Sequence, residues 1–256
     1  EASQSFLADA KRFGAAVRVE RVDGSLTTNG IDVRGGEGMV AHANDGSYWN
    51  CSVGFSAVDR ILSVQHFITA GHCAEPAVAE WRKNGLLLGH TMTASYPTND
   101  YASILHGNWL SWNTSGYVAG ANNAALPIRD ILKGSHLTGS TVCKSGITTK
   151  WTCGIISNNN VTSDYGDGPV YGNVRSNACS EPGDSGGSVV QNKGTTASPK
   201  WVAAGINSGG ITYRMTPTGP KIYCGAKVGK VSVNTYQPIE KVLNSLNMNL
   251  VTVPAP

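Results

Sequence analysis

The chain of 256 residues has 20 lysines and arginines against 17 aspartates and glutamates, a net charge of +3, and scattered basic residues of that kind leave no electrostatic footprint for nucleic acid. No apolar run approaches the length of a bilayer span, so no membrane partner is expected. With 31 glycines and only 14% charged residues, the composition favours many turns between short strands over long surface helices, and an all-β chain is expected.

In residues 1–30, SFLADAKRF spaces its apolar side chains at a helical interval and AVRVERV then alternates strictly before Asp23-Gly24 turns the chain. A helix and a strand of a separate small unit are expected there. From Ile31 the pattern changes to short alternating runs between turn clusters, among them NCSVGFSAV, ILSVQHFITA and YASILHG, which suit antiparallel barrels or sandwiches. SGYVAGANNAALPI, near residues 115–128, is small and turn-rich and is read as the crossing between two β units. GGSVVQN and WVAAGINSGG supply strands of the second unit. Only near the C-terminus does a helix stand out, where Ile239, Val242, Leu243 and Leu246 follow the i, i+3, i+4, i+7 rule behind Pro238. It is expected to pack on the outside of the second unit.

The six cysteines, Cys51, Cys73, Cys143, Cys153, Cys179 and Cys224, include no CxxC pair of the kind that zinc ribbons and thioredoxin-like sites use. Disulfides are the better reading, with no metal, and three bridges place the chain in an oxidising compartment outside the cell. Sequons at Asn50, Asn113 and Asn160 fit secretion.

The chemistry centres on CSEPGDSGGSVV, residues 179–190, where one serine sits in a glycine-rich turn before a strand-like run. A serine hydroxyl is a poor nucleophile near neutral pH and needs a base for its proton and donors for the oxyanion that forms. Without a Cβ, Gly183 can turn its amide inward beside that of Ser185. The string also fits the nucleophile elbow of α/β-hydrolases, which requires a histidine after the serine. All six histidines precede Ser185, and a strand rather than a helix follows it, so the elbow is excluded.

His72, in FITAGHC, lies just past a strand-like run and beside a cysteine able to pin its loop, as a rigidly placed base requires. His42, His66, His90, His106 and His136 are read as structural or surface residues. The carboxylate that orients the base is open at this level. Asp100 begins a strand in the same half of the chain, Asp164 and Asp167 lie in the turn-like SDYGDGP, and Asp130 is allowed by position. Asp184, next to the nucleophile, needs a partner of its own.

TAGHC, NDYAS and CSEPGDSGGS together resemble the three catalytic blocks of chymotrypsin-like serine endopeptidases. VCKSGITTKWTCG and INSGG extend the likeness to the secreted streptogrisin and alpha-lytic protease branch, over roughly Ile31 to Leu246. The resemblance implies two six-stranded antiparallel β-barrels with the active site between them, followed by the C-terminal helix. Its units are residues 31–124, carrying His72 and Asp100, and residues 125–256, carrying Ser185. It implies His72 as general base and acid, Asp100 as orienter, Ser185 as nucleophile, and the amides of Gly183 and Ser185 as oxyanion hole. It also implies the pairs Cys51 with Cys73, Cys143 with Cys153, and Cys179 with Cys224.

By the same likeness Ser208, Gly209 and Gly210 pair with the substrate backbone. Asn177 stands where trypsin-like relatives carry an acid, so a large apolar or aromatic residue before the scissile bond is expected. Lys144 replaces an arginine that neutralises the aspartate before the serine and is expected to pair with Asp184. The segment GITYRMTPTGPKIYC is longer than in the bacterial relatives, and residues 1–30 resemble the end of a pro-region, which makes a zymogen of the uncut chain. The expected protein is a secreted monomer without cofactor, acting on protein or peptide substrates. A non-catalytic binding protein on the same scaffold is the competing reading, and the intact trio of His72, Asp100 and Ser185 argues against it.

Overall fold

The computed structural model describes residues 12–16, 30–75, 78–214 and 221–254. The helix and strand expected over residues 1–30 lie outside the described residues, apart from a 3-10 turn at Gly14–Ala16. Among the described residues the chain folds into two β-sheets, as its composition predicts.

The first sheet has eight strands. In spatial order they are Met248–Leu250, Phe55–Asp59, Gln65–Thr69, Tyr101–His106, Leu86–Ser95, Val78–Lys83, Gly38–Ala43 and Tyr48–Ser52. The second has ten, running Ile31–Gly35, Trp112–Ala119, Ala125–Ile131, Trp201–Arg214, Ser188–Asn192, Thr141–Gly146, Lys150–Asp164, Pro169–Ser176 and Val233–Pro238, with Ile222–Cys224 paired beside Trp201–Arg214. Because Val233–Pro238 also pairs with Trp201–Arg214, the last six strands of that path close into a ring.

Two pairings are parallel: Ile31–Gly35 with Trp112–Ala119, and Ala125–Ile131 with Trp201–Arg214. The segment read from sequence as a turn-rich crossing is therefore largely strand. Its only turn is the 3-10 stretch Ala121–Asn123, where Asn122 adopts a left-handed φ of 52°. A small residue there lets the C-terminal tail approach strand Trp112–Ala119, since a Cβ on Gly116 would lie 2.8 Å from the backbone of Thr252.

The continuous apolar runs of the second half have a structural cause. In WVAAGI, Val202 and Ala204 face one core cluster while Ala203 and Ile206 face the other. Val189 and Val190 divide in the same way. Successive strand side chains point to opposite faces, so these strands form a partition between the ring's interior and the core shared with the first sheet. The helix Ile239–Leu246 buries Ile239, Val242, Leu243 and Leu246, the four residues its spacing selects. They join the shared core, which places the helix against both halves. Trp81 and Trp112 are fully buried there, with their indole N–H groups satisfied by Thr91 Oγ1 at 2.8 Å and Leu87 O at 3.0 Å.

The three cysteine pairs form as the resemblance implies: Cys51 with Cys73, Cys143 with Cys153, and Cys179 with Cys224. Cys143 and Cys153 face each other across an antiparallel hairpin. The long segment after Gly210 extends strand Trp201–Arg214 and folds back on Ile222–Cys224, with Thr212 opposite Cys224. Its tip, residues 215–220, lies outside the described residues.

Candidate active site

His72 opens a 3-10 turn, His72–Ala74, at the end of strand Gln65–Thr69, and the Cys51–Cys73 bridge pins that turn to strand Tyr48–Ser52. Asp100 immediately precedes strand Tyr101–His106, the hydrogen-bonded neighbour of Gln65–Thr69. Sheet pairing thus sets the two side by side. The Asp100 carboxylate accepts from the His72 backbone N–H at 2.9 Å and lies 2.9 Å (Oδ2) and 3.0 Å (Oδ1) from His72 Nδ1. It also accepts a short hydrogen bond from the Ser208 hydroxyl.

Asp100 is fully buried, whereas the His72 side chain is 29% exposed, open on the side away from the acid. Burial alone raises the Asp100 pKa, but the charge and hydrogen bonds of His72 and the Ser208 donor outweigh it and hold the carboxyl below its ordinary value. For His72, burial opposes the proton most strongly, yet Asp100 and more weakly Asp167 reverse the balance and raise its pKa. Asp164, Asp167 and Asp130 are engaged elsewhere, accepting respectively from Gly166 N, Tyr96 Oη and Ile131 N.

Ser185 is half-buried in the turn before strand Ser188–Asn192, and its backbone is clamped: its carbonyl accepts from Ser52 N at 2.8 Å, and Gly186 N donates to Asn207 O at 2.7 Å. Gly186 has a φ of +82°, and a Cβ there would lie 2.0 Å from Thr69 Oγ1. Gly183 has a φ of +97°, with Thr148 Oγ1 2.5 Å from any Cβ. Only glycine fits either place. Neither Gly183 N nor Ser185 N donates to another described residue, which leaves two amides unspent beside the hydroxyl.

Asp184 faces away from the cleft, as its neighbour's role requires. Its oxygens accept from the N–H groups of Thr148, Thr149 and Glu181 and from Thr149 Oγ1, at 2.6 to 3.0 Å. Lys144 Nζ completes the set at 3.1 Å, both side chains being buried. Burial depresses the Lys144 pKa and Asp184 counters it. Removing one partner of such a pair costs about 3–5 kcal/mol, so it fixes the turn firmly.

His72 and Ser185 line one cleft of about 640 Å³ between the two sheets. Ser185 Oγ lies 3.5 Å from Ser208 O rather than in a hydrogen bond with the imidazole, and such contacts commonly tighten only when substrate binds. Ser208, Gly209 and Gly210 form one wall. Beyond Asn207, which still bonds Gly186 and Gly187, Ser208 to Gly210 run beside Val233–Pro238, and no strand among the described residues pairs with their other edge. Asn177 is not among the lining residues: it is exposed, and its Oδ1 accepts from Ile155 N at 2.6 Å.

Several lining residues escaped the sequence reading as cleft-wall groups, among them Glu181, Tyr96, Asp167 and Tyr165. Glu181 carries a carboxylate tied to Lys227 Nζ at 2.8 Å and Cys224 N at 3.0 Å. Tyr96 stacks at a tilt 5.8 Å from the His72 ring and donates to Asp167 at 3.2 Å. Tyr165 rests on Gly209. The one signal for the last three was an aromatic residue beside each of two candidate acids, in SYPTND and SDYGDG.

No family model matches the chain. It is 30% identical to Streptogrisin-C of Streptomyces griseus over 223 residues, 86% of this chain and 41% of that protein. Over 202 residues it is 32% identical to Glutamyl endopeptidase 2 of the same organism, covering 78% of this chain and 92% of that protein. The chain spans about half the length of several curated relatives. Among solved structures it is similar to a Nocardiopsis protease (NAPase), with a TM-score of 0.67 and 28% identity over 87% of this chain and all of that one.

Proposed function

The chain belongs to the streptogrisin and alpha-lytic protease branch of the chymotrypsin-like serine proteases, and from that membership we propose that it is a secreted serine endopeptidase using His72, Asp100 and Ser185. The observation that carries the reading is the convergence, in one cleft, of a histidine held at 2.9 Å by a buried carboxylate and a serine flanked by two unspent amides.

The substrate backbone adds as a strand along the free edge of Ser208 to Gly210, a sequence-tolerant mode of binding. Ser185 Oγ attacks the scissile carbonyl while His72 Nε2 takes its proton. The carbonyl oxygen, now negative, is received by Gly183 N and Ser185 N, and loss of one such donor costs about 3–4 kcal/mol of transition-state stabilisation. His72 then protonates the leaving amine, which departs and leaves an acyl-enzyme. Water, deprotonated by His72, attacks the ester and frees Ser185 with its proton restored. Asp100 stays ionised throughout and stabilises the imidazolium. In this scheme residues 31–124 supply base and acid, and residues 125–256 supply nucleophile and oxyanion donors.

Before the scissile bond we assign a large apolar or aromatic residue. The glycines 209 and 210 bring bare backbone to that wall, packed against Tyr165 and Val233, and Lys227 neutralises Glu181, another acid lining the cleft. Residues 1–30 act as the tail of a pro-region, and the disulfides fit an extracellular site of action. A fluorophosphonate is expected to label wild-type protein at Ser185 and to leave Ser185→Ala unlabelled. Labelling of both, or of neither after incubation that removes residues 1–30 by N-terminal sequencing, overturns the hydrolase reading. A labelled species that retains Glu1 overturns the pro-region assignment, and a peptide library cleaved after acidic or basic residues overturns the pocket assignment.

A further inference from the structure

We propose that Tyr165 is a positioning residue for the acid of the relay, acting through Ser208 to set the proton affinity of His72. The inference rests on the catalytic roles proposed above and adds a residue to them. Tyr165 comes from the loop joining strands Lys150–Asp164 and Pro169–Ser176, remote in sequence from Asp100. Its hydroxyl lies 3.0 Å from Ser208 Oγ and 2.6 Å from Thr235 Oγ1. Ser208 and Thr235 are buried, at 1% and 4% exposure.

The directions of the two protons nearest Asp100 are forced. An ionised carboxylate only accepts, so the Ser208 hydroxyl must spend its single hydrogen on Asp100. Ser208 Oγ can then only accept from Tyr165 Oη, whose own hydrogen is spent in turn. Tyr165 Oη can then only accept at its 2.6 Å contact with Thr235 Oγ1, whose single hydrogen is divided between that oxygen and Gly209 O at 3.1 Å. Two hydroxyls thus point in series toward Asp100, the outer polarising the inner, and Thr235 lies against the outer one. Burial raises the Tyr165 pKa, which keeps the phenol a donor across the working range of a histidine.

The same side chain touches the substrate-facing wall. A Cβ on Gly209 would meet Tyr165 Cε1 at 3.0 Å, Cζ at 3.3 Å and Oη at 3.5 Å, so the hydroxyl end of the side chain packs against the Gly209 backbone. Tyr165 lines the cleft and is 38% exposed, so a bound peptide would cover it and dry the hydroxyl series at its outer end.

Tyr165→Phe tests the assignment, because the phenyl ring keeps the packing on Gly209 and loses only the hydroxyl, while Thr235 keeps its bond to Gly209 O. Without that donor Ser208 binds Asp100 less strongly, the carboxylate holds the imidazolium more strongly, and the His72 pKa rises. The titration of His72 ring carbons, read by NMR on the full chain, should shift upward by roughly 0.3 to 0.5 pH unit, the share of one hydrogen bond that reaches the ring. The acid limb of kcat/KM should move with it, with kcat reduced about three- to tenfold and KM within about twofold.

A pKa and a pH limb unchanged in Tyr165→Phe, or a loss confined to KM, overturns the proposal and leaves Tyr165 a packing residue. Ser208→Ala should abolish any further shift from Tyr165→Phe, and additive shifts would overturn the series. Thr235→Val should move the pKa the same way by less, and serves if the first variant does not fold. Because the NMR titration needs no turnover, failure of the hydrolase reading, seen as absent fluorophosphonate labelling, is distinguishable from failure of the hydroxyl series.

Discussion

At the scale of single residues the decisive group is His72, whose ring must be neutral to accept a proton and is drawn toward the charged form by Asp100. Its folded pKa is raised, so the protonated ring persists to higher pH than in a free imidazole of pKa about 6.5. Hydrolysis is therefore expected to rise with pH along a limb centred above that value. Asp100→Asn removes the charge and leaves burial as the dominant influence, which moves the limb to lower pH. The same change presents an amide N–H to Nδ1 and favours the wrong tautomer, with a loss of about 10⁴ in kcat expected by analogy with other triads. A pH–rate profile of both proteins checks the pair of effects, and a limb unmoved in Asp100→Asn would assign the titration to another group. The proposed base and nucleophile were picked out by TAGHC and GDSGG because motif and chain order carry that reading. Without the likeness carried by NDYAS, which implied Asp100, the choice among Asp100, Asp130, Asp164 and Asp167 stayed open, since it depends on which strand pairs with Gln65–Thr69.

Among the elements, the helix Ile239–Leu246 was fully legible because a local period of 3.6 residues encodes its buried face. The ribbon of Lys150–Asp164 and Pro169–Ser176 was not. Its SNNNVTSDYGDGP has the composition of a loop, is largely exposed, and is strand only through pairing with a partner whose register slips three times. That ribbon nevertheless reaches the loop before Asp100, where Thr98 N donates to Pro169 O at 2.8 Å and Tyr171 N to Thr98 O at 2.9 Å. A different element carries an acid-sensitive group. His136, 4% exposed, has Nδ1 2.8 Å from the buried Tyr236 hydroxyl, and burial with the charge of Lys193 lowers its pKa to about 4 despite the opposing charge of Glu240. The folded form resists a proton that the unfolded chain takes up below about pH 6.5. The stabilisation is complete above pH 6.5 and is lost as pH falls toward 4, by roughly 3 kcal/mol. Denaturant melts of wild type and His136→Gln between pH 7 and 4 are expected to converge as pH falls, and parallel curves would remove His136 as the cause.

For the whole molecule, the two sheets are held together by segments that leave one and join the other, which no local pattern in the sequence announces. Closure of the ring depends on Val233–Pro238 meeting both Pro169–Ser176 and Trp201–Arg214, pairings of high sequence separation. Ile31–Gly35 and Trp112–Ala119, from the first half of the chain, extend the path of the second sheet. The reverse exchange comes from the C-terminus. Met248–Leu250 pairs with Phe55–Asp59 at the edge of the first sheet, and Val251 N then donates to Ser56 O at 2.9 Å. Two residues later Val253 N donates to Ile128 O at 2.8 Å, and its carbonyl accepts from Arg129 at 3.1 Å. One short tail thus covers an otherwise open edge and ties residues 55–59 to residues 128–129. Ending the chain after Leu246 removes Met248, now 4% exposed, uncovers strand Phe55–Asp59 and forfeits these bonds, a loss of about 3–5 kcal/mol. The truncated protein is expected to melt at lower temperature and to lose activity in step with folding, because His72 and Ser185 reside on opposite sheets. Calorimetry alongside peptide hydrolysis checks this, and full activity at an unchanged Tm would show that the remaining core holds the two sheets in register without the tail.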